Sequence, residues 1–402
     1  MSWKSLTLVT IVALAAGAPA LSAQSPSTAP VRFRAHNIAE IAGGYAVAVA
    51  DFNQDGRLDV MANSLRVGEV AWHENPGWEK HVIVPGMRSI VNQAISDLDG
   101  DGIPEVAFQS GFAMQAANSE GINWIAKSKG DPRMEWDAEP IDRWATSHHV
   151  TWADLDGDGA KELVNAALIG HGSLAPTYDQ DLASVYWYGQ DGWRRGNIAT
   201  DVPGVIHRVR TVNWDSGARE QILLASFEGI TLYRSSGEGA TMMFEKEVIS
   251  NGHVDVAPRL GASDVGTGMS NGRRVVASVE PWHGNEVVVY TQSGDAWQRR
   301  VIFDEVTSGH EIAVLDLNGD GRVDIVANDN SRVSERSPNA TPGVHVFFSP
   351  EDPATGEWSY VRIESEVAMN GCVGGDMNQD GRPDLICSGA GNMIKWYENL
   401  GM

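Results

Sequence analysis

A nine-residue acidic pattern, Asp-x-Asx-x-Asp-Gly-x-x-Asp/Glu, recurs along the 402-residue chain, and each copy leads into a short apolar run. Five clear copies begin at Asp51, Asp97, Asp154, Asp316 and Asp376. Two degenerate units, around positions 213 and 264, fill the gap between the third and fourth copies. Seven units at a spacing of about 54 residues form a fixed period, which predicts a repeat architecture.

Two columns of aromatic residues divide each unit further. One column lies in a short apolar strand after the acidic pattern, at Trp72, Trp124, Trp187, Tyr233, Tyr290, Phe347 and Trp396. The other opens the next strand, at Trp78, Trp136, Trp193, Phe244, Trp297 and Trp358. Each unit is therefore interpreted as four short strands with turn residues between them, which is typical of a β-propeller blade.

The seventh unit ends just after Trp396 without a fourth strand, and the segment FRAHNIA, residues 33–39, matches the strand that is missing. We therefore predict an all-β, seven-bladed β-propeller over residues 31–402, with four-stranded blades and a ring closed by the N-terminal strand. Blade loops are expected near positions 51, 97, 154, 213, 264, 316 and 376. An open solenoid is the alternative, but only a closed ring removes exposed sheet edges and needs a displaced strand.

The first 23 residues have the features of a secretory signal peptide. Lys4 precedes a mostly apolar run over residues 6–16, and small residues follow at Ala18, Ala20 and Ala23. The run is short for a membrane span, and no later apolar run is longer. The mature protein is expected to be secreted or periplasmic, without insertion into a membrane.

The acidic loops predict about five structural calcium ions. Oxygen ligands at alternate positions of a tight, glycine-containing loop suit a hard cation, and the fourth acidic residue at position 9 distinguishes these loops from an EF-hand. The alternatives are metal-free acidic turns and, less favoured, a catalytic calcium. The expected ligands are Asp51, Asn53, Asp55, Asp59, Asp97, Asp99, Asp101, Glu105, Asp154, Asp156, Asp158, Glu162, Asp316, Asn318, Asp320, Asp324, Asp376, Asn378, Asp380 and Asp384.

The charge balance excludes several partner classes. The chain has 53 acidic and 30 basic residues, for a net charge of −23. Nucleic acids and anionic membrane surfaces are bound through Lys and Arg, so neither is expected as a partner. About a third of the acidic residues lie in the five loops, where bound calcium would offset part of the charge. A monomer that binds a small molecule or a glycan is expected.

The segment GHEIAVLDLNGDGRVDIVAN, residues 309–328, resembles the FG-GAP/VCBS repeat of integrin-type propellers and many secreted bacterial proteins. Comparable repeats cover nearly the whole mature chain. The resemblance implies a calcium-binding propeller and leaves the function open.

A third column of residues lies six positions before each acidic pattern, where the innermost strand of a blade meets the channel. It contains Tyr45, Val91, His148, His207, His310 and Asn370, and His253 precedes the irregular fifth unit. The loops between the second and third strands open on the same face and add His171, Tyr178, Trp282 and His283, with His149 close by. A functional pocket is favoured over turn residues that the repeat has merely propagated.

Three kinds of chemistry suit such a face. Neutral imidazoles can bind a transition metal such as zinc. His and Tyr can act as base and acid next to a carbonyl. Trp and Tyr can stack on sugar rings. The first two combine in β-elimination, with a metal or an arginine, Arg88 or Arg208, stabilising the enolate-like charge.

The segment EPWHGNEVVVY, residues 280–290, together with GHE at 309–311, resembles the propeller of aldos-2-ulose dehydratase-type proteins. The resemblance implies elimination of water from a sugar-derived carbonyl compound, with His283 and His310 implicated first.

Two functions follow from the sequence. The first is a secreted lyase of the dehydratase type, with His148, His207, His283, His310, Tyr45 and His171 as catalytic candidates and Arg88, Arg208, Trp282 and Tyr178 as substrate-binding candidates. The second is a non-catalytic glycan- or protein-binding propeller. Cys372 and Cys387 are expected opposite each other on neighbouring strands, either as a disulfide or as a buried thiol pair.

Overall fold

The computed structural model describes residues 31–330 and 342–402, so the expected signal peptide lies outside the described residues. The chain forms seven four-stranded antiparallel sheets, one for each sequence unit. The innermost strand of every sheet contacts the innermost strand of the next, and the innermost strand of the seventh sheet contacts that of the first. This closed ring confirms the predicted seven-bladed β-propeller.

The first three blades follow one another along the chain, and in each the strands are ordered from the axis outwards. Blade 1 contains β2 (Gly44–Ala50), β3 (Asp59–Ser64), β4 (Glu69–Glu74) and β5 (Glu79–Pro85). Blade 2 contains β6 (Asn92–Ser96), β7 (Glu105–Ser110), β8 (Ile122–Lys127) and β9 (Asp137–Arg143). Blade 3 contains β10 (Ser147–Ala153), β11 (Glu162–Ala167), β12 (Ala183–Gly189) and β13 (Arg194–Val202).

The remaining blades continue this order until the seventh, which borrows its outermost strand. Blade 4 contains β14 (Ile206–Val212), β15 (Gln221–Ser226), β16 (Gly229–Ser236) and β17 (Met243–Ser250). Blade 5 contains β18 (Asp264–Ser270), β19 (Arg273–Glu280), β20 (Glu286–Ser293) and β21 (Ala296–Phe303). Blade 6 contains β22 (Ile312–Leu315), β23 (Asp324–Asp329), β24 (Gly343–Phe348) and β25 (Ser359–Glu364). Blade 7 contains β26 (Gly371–Gly375), β27 (Asp384–Ser388), β28 (Met393–Asn399) and β1 (Phe33–Glu40). Short 3₁₀ turns lie at Ala116–Asn118 and Gly239–Thr241.

Ring closure rests on the pairing of β1 with β28. The two strands are antiparallel, with Phe33 opposite Asn399 and Glu40 opposite Met393. The imidazole of His36 stacks on the indole of Trp396 with 4.4 Å between ring centroids. The predicted strand over residues 33–39 is therefore confirmed, and it is one residue longer at its C-terminal end.

The aromatic column of the third strands packs between neighbouring sheets. Trp72 and Tyr290 are almost fully buried, and Trp187 and Tyr233 nearly so. These aromatic rings pack between two blades, where sheets that face each other leave space for a large side chain. This explains why an aromatic residue recurs once in every unit.

The fifth unit departs from the others in its first turn. Asn271 and Gly272, both with φ in the left-handed region, connect β18 to β19 in place of an acidic loop. Asn-Gly is the favoured pair for such a tight hairpin turn. The loop expected near position 264 therefore lies further along the chain, and Asp264 instead begins β18. The expected position is wrong because the fifth unit has no acidic pattern, so only the repeat spacing indicates where its loop lies.

In blade 7 the two cysteines are directly opposite each other in the ladder between β26 and β27. Cys372 and Cys387 form a disulfide, which decides between the two alternatives that the sequence left open.

We expect Ile38→Ala to destabilise the ring through β1. Ile38 is buried against residues of blades 1 and 7, and such a truncation costs about 2–4 kcal/mol. Urea unfolding followed by tryptophan fluorescence measures the loss. Arg34→Ala, in the same strand, is the matched control because its ion pair with Glu398 is exposed and should contribute less than about 1 kcal/mol. Equal unfolding midpoints for Ile38→Ala and the unmodified protein would contradict the role of β1 in closing the ring.

Candidate functional site

In blades 1, 2, 3 and 6, the residue two positions before the axial residue turns the chain into the innermost strand. Gly43, Ser89, Thr146 and Ser308 all have φ between 43° and 67° at this position. A left-handed residue reverses the chain direction over a short distance. The same local turn therefore places Tyr45, Val91, His148 and His310 at equivalent points around the channel.

Four histidines meet at the axis and form what we call the axial histidine cluster: His148, His207, His283 and His310. The ring of His207 lies 5.3 Å from that of His148, 4.6 Å from that of His310 and 4.9 Å from that of His283, measured between centroids. The rings of His283 and His310 are 5.1 Å apart. Residues from blades 3, 4, 5 and 6 thus contribute one imidazole each.

Tyr45, from blade 1, reaches across the axis to this cluster. Its hydroxyl lies 3.1 Å from Nε2 of His148 and 3.0 Å from Nε2 of His310. The hydroxyl can donate to one imidazole and accept from the other, so it joins the two histidines by hydrogen bonds.

The protonation of His207 follows from its neighbours. Its Nδ1 lies 2.7 Å from the carbonyl oxygen of Ser263, so Nδ1 carries the proton and donates it. Nε2 then presents a lone pair, and it lies 3.1 Å from Nε2 of His283.

Desolvation keeps the cluster uncharged. It lowers the pKa of His148 to about 3 and that of His283 to about 4, and it lowers the pKa values of His207 and His310 well below the ordinary value. Neighbouring imidazoles and the charge of Arg208 act in the same direction for His148, His207 and His310. At neutral pH the four rings are therefore neutral, which is the form that binds metals.

Desolvation also raises the pKa of Tyr45, and the nearby Glu311 carboxylate raises it further. Its hydroxyl consequently keeps its proton at neutral pH and remains a hydrogen-bond donor.

The cluster suits a transition metal. His207, His283 and His310 can each offer one nitrogen, and these nitrogens lie within 4.8 Å of one another. Two nitrogens bound to one tetrahedral zinc at the usual bond length are about 3.3 Å apart, close to the 3.1 Å between His207 and His283. Nδ1 of His310 is buried without a hydrogen-bond partner among the described residues. The carbonyl that fixes His207 is the usual kind of outer partner for a metal-binding histidine.

Arg208 lies beside the cluster, and its charge is already paired. It is buried, its Nε lies 3.0 Å from Asp264, and its terminal nitrogens contact Glu311 and His149. Arg88, the other substrate-binding candidate, is exposed on the loop before blade 2.

The remaining substrate-binding candidates form an aromatic wall next to the cluster. Trp282 packs 4.8 Å from the ring of His283, and Tyr178 and Phe227 pack against Trp282 at 5.8 Å and 5.5 Å. The indole Nε1 of Trp282 has no hydrogen-bond partner in the part of the chain that the structure describes. His283 and Tyr178 both have a φ near +50°, a strained backbone conformation that is common at functional sites.

Other candidates from the sequence lie outside the axial contacts. His171 is exposed and stacks on Trp144, and His253 pairs with Glu286 at 3.1 Å. Val91 and Asn370 occupy their expected places at the ends of inner strands and are buried. Sequence reasoning did not assign Ser263, Asp264 or Glu311 to the site. The GHE segment at 309–311 contains Glu311, but no motif pointed to a role for Ser263 or Asp264.

The five acidic loops lie at the other ends of the inner strands and share one backbone design. In each, the first aspartate accepts a hydrogen bond from the amide of the sixth residue, a glycine with φ between 79° and 92°. In the second loop, carboxylate oxygens of Asp97, Asp99 and Asp101 lie within 4.8 Å of one another, and in the third loop so do those of Asp154, Asp156 and Glu162. These groupings can accept a cation.

The ninth residue of each loop has a role that the sequence did not indicate. Its carboxylate accepts a hydrogen bond from the backbone amide of the second loop residue, over 3.0 Å for both Asp59 and Asp324. In Asp59, Asp324 and Asp384, the other carboxylate oxygen accepts a hydrogen bond from a backbone amide at the end of the third strand. Blade 4 has the neutral Gln221 at this position, and it accepts the equivalent amide of Trp214 at 2.7 Å. The ninth residue therefore holds the backbone of the loop whether or not its side chain is charged. Burial raises the pKa of Asp59, Glu162 and Asp324 to about 7.

Comparison with known proteins supports the repeat interpretation. Residues 97–164 match the family model of the FG-GAP-like repeat. A search of curated proteins gives no match. Among the described residues, none of the helices has the length and apolar character that a membrane crossing requires. The matched repeat and the seven four-stranded blades together show a β-propeller that contains an FG-GAP-like repeat.

Proposed function

We propose that the protein is a carbon–oxygen lyase that eliminates water from a sugar or a sugar-derived carbonyl compound at the axial histidine cluster. The observation that carries this proposal is the approach of three neutral imidazoles, His207, His283 and His310, to within reach of one metal ion, with the Tyr45 hydroxyl beside them. Zinc is the metal that such a nitrogen donor set favours.

When bound by these three histidines, zinc would supply a Lewis acid that polarises a carbonyl and stabilises negative charge on its oxygen. The chain's own residues handle the protons. His148 is unprotonated at neutral pH and can accept the proton from the carbon next to the carbonyl. As the carbon–carbon double bond forms, the bond to the neighbouring hydroxyl breaks, and Tyr45 can donate the proton that makes the leaving group water.

The two groups can exchange this proton between turnovers. Nε2 of His148 lies 3.1 Å from the hydroxyl of Tyr45, so a proton taken from carbon can return to the phenolate. Both residues then regain their starting state, and the reaction needs no outside acid or base.

The aromatic wall supports a sugar-derived substrate. Trp282 and Tyr178 offer apolar ring surface, and Nε1 of Trp282 can donate to a hydroxyl. Arg208 lies next to the cluster, but its charge is satisfied by Asp264 and Glu311, so an uncharged substrate is favoured over an anion.

The burial of the cluster favours a second candidate function. His148, His207 and His310 are each at most 4% exposed, which restricts access by a substrate. A non-catalytic glycan- or protein-binding propeller, braced at its axis by these residues, is therefore the alternative.

We further propose that the acidic loops hold about five structural calcium ions, and that residues 1–23 direct a monomeric protein to the periplasm or the exterior. The clustered carboxylates support the first part, because such groups repel one another without a cation.

The lyase proposal predicts about one zinc per chain and an unsaturated product. Elemental analysis of the purified protein measures the metal, and ultraviolet absorbance follows product formation across a panel of ketoses, aldos-2-uloses and anhydro sugars. His310→Ala and His283→Ala should each lower turnover by at least about 100-fold, because each removes a metal ligand and an active-site imidazole. His171→Ala, an exposed histidine outside the cluster, is the control and should keep full activity. Calcium as the sole metal, together with no turnover, would favour the binding function instead.

The calcium proposal predicts that chelation destabilises the ring. Loss of an ion present at 100 times its dissociation constant removes about 2.7 kcal/mol per site, so EGTA should lower the melting temperature measured by calorimetry. Asp101→Asn should reduce the calcium stoichiometry by about one. Asp215→Asn is the control, since it lies in the loop of blade 4 that lacks the acidic pattern. Identical melting curves in calcium and in EGTA would refute structural calcium.

A further inference from the structure

Ser263 contacts three members of the axial histidine cluster at once. Its carbonyl oxygen accepts from Nδ1 of His207 at 2.7 Å. Its hydroxyl lies 3.3 Å from the backbone amide of His283, which donates to it, and 3.2 Å from the carbonyl oxygen of His310, to which it donates. Ser263 is fully buried, so these contacts do not compete with solvent.

The next residue, Asp264, links β14, which carries His207, to the start of β22, two residues after His310. It accepts from Nε of Arg208 at 3.0 Å, beside His207, and from Nε of Arg210 at 3.0 Å. It also accepts the amide of Ile312 at 2.8 Å, two residues after His310. Asp264 is fully buried, and the arginines compensate its charge.

This pair belongs to the blade that lacks both the acidic pattern and an imidazole at the start of its inner strand. Blade 5 stands between blade 4, which supplies His207, and blade 6, which supplies His310. Ser263 and Asp264 occupy the place where the neighbouring blades present those histidines. The irregularity of the fifth unit therefore coincides with a set of hydrogen bonds to its neighbours.

We propose that Ser263 and Asp264 are positioning residues that hold His207, His283 and His310 at metal-binding separation. This inference rests on the metal centre of the proposed function. Ser263 leaves Nε2 of His207 as a lone-pair donor, because Nδ1 is committed to its carbonyl. Its hydroxyl fixes the backbone of the other two histidines, and Asp264 fixes the strands behind them. Removal of such outer partners commonly weakens metal binding 10- to 100-fold.

Ser263→Ala tests the inference with little change in volume. It removes the hydroxyl, which contacts His283 and His310 and also lies 3.3 Å from Nδ1 of His207, and it keeps the carbonyl that accepts from His207 at 2.7 Å. The zinc dissociation constant, measured by competition with a chromophoric chelator, should rise by about 10-fold or more. The visible absorption of the cobalt-substituted protein should also change, because it reports the ligand geometry. Ser278→Ala is the matched control, a fully buried serine of the same blade whose hydroxyl contacts the carbonyl of Val279.

Asp264→Asn is a second, stronger variant that removes the charge opposite Arg208 and Arg210. It should weaken zinc binding more than Ser263→Ala does, and if it fails to fold, Ser263→Ala still decides. The inference would be overturned if Ser263→Ala bound zinc with an affinity within about twofold of that of the unmodified protein, because loss of an outer partner should weaken binding far more. That result would leave the proposed zinc centre intact. An unmodified protein that binds no zinc would overturn the proposed centre itself, and the inference with it.

Discussion

The pairing of β1 with β28 joins the two ends of the described chain in blade 7, and the arrangement of the other blades depends on it. A propeller closed in this way has neighbours for every innermost strand, so seven strands converge on one axis. Their starting residues then lie close together even when they are far apart in the chain, as Tyr45 and His310 are. Ring closure is thus the condition for the axial histidine cluster to exist.

Convergence of polar residues at a buried axis has an energetic cost, because desolvated polar groups must find partners. The imidazoles meet part of this demand by staying neutral and bonding to Tyr45, to Ser263 and to one another, while Nδ1 of His148 and of His310 has no hydrogen-bond partner among the described residues. The charged residues beside them are compensated in pairs, with Arg208 between Asp264 and Glu311. The positive charge of Arg208 in turn lowers the pKa of His148, which helps to keep that ring neutral. The neutral imidazoles and the ion pairs of Arg208 therefore lie next to each other at the axis.

Much of the fold could be predicted from the sequence, because blade formation is local. Strands of one blade are neighbours in the chain, and the acidic loops and aromatic columns recur wherever such a blade forms. His148, His207 and His310 were predictable at the axis for the same reason, since the period gives them equivalent positions. His171 and His253 were expected on the same face but make their contacts elsewhere, since they belong to connections between strands that do not follow the repeat.

The sequence by itself determined the number of blades, the closing strand and the column of residues at the axis, because each follows from a repeated pattern of short-range pairing. Tertiary structure alone decided which polar groups pair across blades. The bonds of Ser263 to His207 and of Arg208 to Glu311 join residues from different repeats. No period specifies such contacts, because they depend on the distance and angle at which whole blades meet. The packing of the blades against one another sets the protonation of the histidines and the ion pairs of Arg208. These in turn decide what chemistry is possible at the axial histidine cluster.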